Sequence, residues 1–162
     1  MARRLWVLWG GLILAWLPLP SFAAQPVAEL TAAVDLGAEA AQASKGGGPL
    51  VVLYSRKDCP YCETVRRDYL APLAADPKFR GRVVVRQVNQ DSQEALTDFQ
   101  GKTTSHAAFA AQEKIRLVPV VAFYGPGGRQ LAEAIVGTRL PDFYLAYLEN
   151  AVDQSKHNLK AK

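Results

Sequence analysis

The run "PLVVLYSRKDCPYC", residues 49 to 62, is the stretch that most restricts the fold. Its first half is almost wholly apolar and rich in β-branched side chains, which suits a strand buried on both faces. Its second half turns polar and sets a proline directly after a cysteine. Pro60 suits a first helical turn, where its missing N–H costs nothing. The stretch therefore predicts a covered strand that feeds at once into a helix. Cys59 then sits at the helix N-cap and exposed, and Cys62 lies one turn on and shielded.

The rest of the chain supplies the layers such a strand needs. An Ala-rich segment, 27 to 45, has Leu30, Ala33, Val34 and Ala41 at helical spacing and predicts a helix closed by "GGG" and Pro49. The cysteine helix is expected to end or bend at Pro72. "RVVVRQV" (82 to 88) predicts a second strand, and "NQDSQEALTDFQGKTTS" a polar, turn-rich connection. Ser105 caps a helix through "HAAFAAQEKI". "VPVVAFY" (118 to 124) and "RQLAEAIVG" (129 to 137) predict antiparallel strands joined by "GPGG". A last helix follows from "PDFYLAYLE", with Phe143, Tyr147, Leu148 and Ala151 on one face and a frayed basic tail after it. Long crossovers join the early strands and a hairpin joins the late ones. That order predicts an α/β fold, with a mixed central sheet of four or five strands and helices on both faces. A fifth strand requires a short one at 25 to 28.

The first residues read as a leader rather than as part of the fold. "MARR" is a basic start, "LWVLWGGLILAWLPL" an apolar run, and Ser21 and Ala23 are small residues suited to cleavage after Ala23. The run is short for a spanning helix, and Pro18 and Pro20 break its end. The expected organisation is a signal peptide at 1–23, a helix and linker at 24–48, a single domain at 49–153 and a basic tail at 154–162. Losing Arg3 and Arg4 lowers the formal charge from +4 to +2, too mild a balance to argue for nucleic acid. Export implies an oxidising compartment, the periplasm.

The chain has two cysteines, which bounds their chemistry. A structural disulfide closing so short a loop removes little unfolded-state entropy. Zinc needs four ligands, and beyond the cysteines only His106 and His157 offer nitrogen. Copper(I) needs fewer soft ligands, so two thiolates with His106 form a rival site. Redox exchange fits best. A sulfur at a helix N-cap faces unpaired N–H groups and the positive end of the helix dipole, which favour thiolate over thiol. Arg56 and Lys57 add positive charge nearby. Cys59 is then the attacking sulfur and Cys62 the resolving one. No metal or other cofactor is required.

These residues also carry a resemblance. "LVVLYSRKDCPYC" resembles the strand and active-site segment of thioredoxin-like proteins, "EKIRLVP" the stretch leading into their cis-proline, and "AEAIVGT" their last strand. The resemblance implies a thioredoxin-like fold and disulfide exchange with protein partners through Cys59 and Cys62, with Pro60 and Tyr61 as active-site support. It implies a cis bond at Pro119, with the Val118 backbone and Gly137 flanking a bound substrate strand. Tyr61 is expected to wall the groove, Phe99 to anchor its loop and His106 to lie at the surface. "LTDFQGKTT" and "GTRLPDFYLAYLE" resemble the exported SoxW-like thioredoxin-related proteins. The implied role is a periplasmic reductant, monomeric and served by a membrane electron donor or acceptor. An oxidase or isomerase is the alternative, although isomerases add a dimerisation region and 24 to 48 offers one modest helix.

Two departures stand out. Thioredoxins carry a tryptophan before the first cysteine, where this chain has Asp58, and a buried acid where it has Leu53. Proton transfer from Cys62 then falls to Glu63 or water. Glutaredoxins share C-P-Y-C, but their glycine-rich acidic stretch is absent, so glutathione binding is not implied.

Overall fold

The computed structural model describes residues 30–138 and 141–161. The leader expected at 1–23, and the short strand considered at 25 to 28, lie outside these residues. The central sheet has four strands, β1 (Leu50–Ser55), β2 (Val84–Asn89), β5 (Val120–Tyr124) and β6 (Gln130–Val136), in the order β2-β1-β5-β6. β1 runs parallel to β2 and antiparallel to β5, and β5 pairs antiparallel with β6. The sheet is therefore mixed, as the crossovers and the late hairpin predict.

Every residue of β1 is buried, which is why its sequence is apolar throughout rather than alternating. Leu50, Val52 and Tyr54 face a core shared with Leu36, Ala40 and Phe109. Val51 and Leu53 face a second core containing Val65, Leu70 and Leu148. The first face is covered by α1 (Leu36–Lys45) and α4 (His106–Gln112). The second is covered by the cysteine helix and α5 (Tyr144–Lys160).

Several expectations change. The helix expected from 27 begins at Leu36, where the Asp35 side chain accepts the Ala38 N–H at 2.8 Å as an N-cap. Residues ahead of it run beside β2 instead: Ala33 donates to the Gln87 carbonyl at 2.9 Å, and Gln87 donates to Thr31 at 3.0 Å. A good cap and a free strand edge together outweigh the helix propensity of alanine. The cysteine helix continues past Pro72, as α2 (Pro60–Thr64), a π-helical turn (Val65–Leu70) and α3 (Ala71–Ala75). Pro72 lacks an N–H and crowds the carbonyl four residues back, and the wider π turn accommodates it. The polar connection after β2 contains a short hairpin, β3 (Ala95–Thr97) with β4 (Thr103–Ser105).

On α5 the buried face is Tyr144, Leu148, Ala151, Val152 and Ser155. Phe143 and Tyr147, expected inward, are 58% and 49% exposed. The helix is turned by about one residue from the expected setting and continues to Lys160, through the tail expected to fray.

Candidate active site

β1 delivers the chain to the end of the sheet at Ser55, and five residues later the cysteine helix begins at Pro60. The loop between them is held from the β2 side. Gln90 donates to the Ser55 carbonyl at 2.8 Å, and the Asp91 carboxylate accepts the Lys57 N–H at 2.9 Å. Asp58 turns the chain with φ of 56°, a left-handed conformation that Asp adopts more readily than most residues. Cys59 then takes the N-cap position in extended backbone geometry, and Pro60 opens the first turn.

The capping group is the sulfur itself. Cys59 Sγ accepts the Cys62 N–H at 3.2 Å, and the Cys59 carbonyl accepts from Glu63 at 3.1 Å. A donor aimed at this sulfur favours its anionic form. The two cysteines, with Cα atoms 5.2 Å apart, form a disulfide. Cys59 is half-buried, whereas Cys62 is 1% exposed. The first sulfur, expected to be exposed, is thus only partly open to solvent, and the second lies behind it.

Pro119 precedes β5 and is buried, and the Val118–Pro119 bond is cis. Register places it: Tyr54 pairs with Val120, so Pro119 lies at the end of the sheet where β1 releases the cysteine loop. Its carbonyl accepts the Gly137 N–H at 2.9 Å, which brings the end of β6 to the same edge. Gly137 has φ of 74°, and a Cβ there would meet open space, so backbone conformation rather than crowding selects the glycine. Val118 is half-buried and Tyr61 is 66% exposed.

Leu53 is fully buried under the cysteine helix, so the strand offers no carboxylate there. Glu63 is ion-paired to Arg66. Phe99 packs against Phe109 and Tyr124, with ring centroids 5.9 and 4.9 Å apart, in keeping with a loop anchor.

His106 is not at the surface. It is 1% exposed: Nδ1 accepts the Asn89 N–H at 3.1 Å, and Nε2 lies 3.0 Å from the Ala33 carbonyl, to which it donates. Both ring nitrogens are committed to the backbone, which removes the third ligand from the copper site.

The sequence reading missed the other wall of the site. A cleft of about 820 Å³ runs from Arg56, Lys57 and Cys59 to Gln87, Asn89 and Asp91 at the end of β2. Its signal was the polar run "NQDSQ" directly after a strand parallel to β1, because carboxyl ends of parallel strands share one edge.

No curated protein sequence matches this chain. Among solved structures, a thioredoxin-fold protein from Helicobacter pylori is 17% identical, with 70% of this chain and 80% of that chain covered and a TM-score of 0.49. Trxlp from Edwardsiella tarda is 25% identical over 66% of this chain and 87% of that one, with a TM-score of 0.47. Oxidized thioredoxin O2 from Arabidopsis thaliana is 17% identical over 76% and 94%, with a TM-score of 0.49. The family model of the thioredoxin-like domain matches residues 36–152, a span that includes α1, the whole sheet and both cysteines. A cysteine pair at the edge of that fold is the equipment of a thiol–disulfide oxidoreductase. With most of its length inside that match, the chain belongs to the thioredoxin-like domain family.

Proposed function

We propose that this protein is an exported, periplasmic oxidoreductase that reduces disulfides in partner proteins. The observation that carries this reading is the asymmetry of the pair, with Cys59 reachable and capped by an N–H while Cys62 is buried behind it. In the reduced protein the Cys59 thiolate attacks a partner disulfide. A Cys59–partner bond forms, the partner S–S bond breaks, and its first sulfur leaves as a thiolate and takes a proton from water. Cys62 loses its proton to water and attacks the Cys59 sulfur. The Cys59–Cys62 bond forms, the second partner sulfur leaves, and two electrons have passed to the partner. A dithiol donor resets the pair.

Water takes the Cys62 proton in this scheme because Leu53 is apolar and Glu63 is held by Arg66. The leader at 1–23 and the SoxW-like segments support export. The Val118, Pro119 and Gly137 edge is the proposed place for a substrate strand, with Tyr61 beside the cysteines. The test is thiol transfer. Reduced protein mixed with a disulfide-bonded protein should lose two thiols as the partner gains two, and Cys59→Ser should transfer none. A wild-type protein that transfers no thiols overturns the reading.

A further inference from the structure

The two ends of the sheet differ in charge. At the cysteine end acids accompany most of the cations: Arg66 pairs with Glu63, and Arg56 and Lys57 line the cleft with Asp58 and Asp91, while Arg116 ahead of Pro119 is exposed. At the other end three turns and the C-terminal part of α5 bring cations together. Lys45 closes α1, and Gly46 and Gly48 lie so close to the backbone of Gly81 and Arg82 that a Cβ on either would collide with it. That packing sets Lys45 beside the Arg80–Arg82 turn. Lys78 and Lys156 both stand over the Phe79 ring, at 5.0 and 5.1 Å, which joins the end of α5 to this group. Arg129, at the turn after β5, donates to the Asn158 carbonyl at 3.1 Å, two residues before Lys160. All these cations except Lys156 are exposed. The carboxylates placed among them are Asp76, which accepts the Lys78 N–H, and Asp153, paired with Lys156 at 2.8 Å.

We propose that this basic end docks on an anionic phospholipid surface. Protein interfaces are anchored by buried aromatic or aliphatic side chains. None of the large exposed apolar side chains among the described residues lies in these turns. Long cations spread over separate turns without an anchor suit fluid headgroups, which rearrange to meet them. Docked this way, the protein turns Cys59 away from the lipid. The six residues of β1 alone separate the two ends by about 20 Å. The pair then meets soluble proteins, or domains that project from the same membrane.

The experiment measures sedimentation of the full chain with vesicles of phosphatidylcholine alone, or of phosphatidylcholine and phosphatidylglycerol in equal parts. The leader segment is itself basic and apolar, so two variants of equal net charge are compared in the same chain. Each cation near an anionic surface is worth roughly fivefold in binding. The Lys45→Glu, Arg80→Glu, Arg82→Glu triple should therefore lose at least roughly tenfold on anionic vesicles. The Arg56→Glu, Lys114→Glu, Arg116→Glu triple should change by less than roughly threefold. Added salt should weaken binding of the wild type to anionic vesicles. If the first triple does not fold, the corresponding glutamine triple serves, with a smaller loss in the same direction. Equal losses in both triples, no preference for anionic vesicles, or a loss seen with RNA or an acidic protein but not with vesicles would each overturn the proposal.

Discussion

His106→Leu removes both ring nitrogens from a fully buried site while nearly keeping its volume. The histidine joins three elements: its own helix α4, the Ala33 carbonyl beside β2, and the Asn89 N–H at the end of β2. Leucine strands one donor and one acceptor in the interior, each at about 1–3 kcal/mol. The expected loss is about 2–6 kcal/mol, against a total of roughly 5–15 for a domain of ordinary stability. The melting temperature should fall by roughly 10 °C. Urea unfolding of the oxidised protein, followed by far-ultraviolet circular dichroism, measures it. His157→Leu, at an exposed position on α5, is the control and should stay within about 0.5 kcal/mol of wild type. The consequence extends to the site, because Asn89 leads into Asp91, which holds Lys57 ahead of the cysteines. A loss below about 1 kcal/mol would refute the argument that both nitrogens are used structurally. Cu(I) stoichiometry that drops in His106→Leu with stability intact would restore the metal-carrier reading.

Cys62→Ser should accumulate mixed disulfides through Cys59, seen on non-reducing gels, and trapping by Cys59→Ser instead would reverse the assigned roles. The Cys59–Cys62 couple should equilibrate with a glutathione buffer at roughly −180 to −250 mV, bracketing the range of glutaredoxins that share C-P-Y-C, and a value near −120 mV would mark a disulfide donor. Ser105→Ala removes the cap that accepts the Ala108 N–H at 3.2 Å and should cost about 1 kcal/mol in urea unfolding. Burial pushes the Tyr54, Tyr124 and Tyr144 hydroxyls above the ordinary tyrosine range. Their raised values mean the unfolded chain loses these protons first, so stability should fall as pH rises through about 10, and an unchanged urea midpoint between mildly and strongly alkaline buffer would contradict this.

The parts of this protein legible in the sequence are those set by near neighbours. The unbroken apolar run of β1, Pro60 after Cys59, the Ser105 cap and the turn between β5 and β6 each depend on a few adjacent residues. From them a mixed sheet with helices on both faces and the position of the cysteine pair could be read, while the strand order β2-β1-β5-β6 came from the tertiary structure. What tertiary structure decided was pairing across distance. Residues 31 to 33 have alanine-rich helix character, yet their backbone finds partners on β2. β3 and β4 are three residues each, too short to show a period, and form only because their chain doubles back. Tyr144 and Tyr147 present similar side chains, and the packing of α5 on the sheet buries one and leaves the other half in solvent. His106 has no local mark of burial. Its setting depends on Ala33 and Asn89, 73 and 17 residues away, meeting at one point. Apart from the basic tail, the basic end is likewise invisible in the order of residues, because its charges come from three turns and a helix end that only the fold gathers.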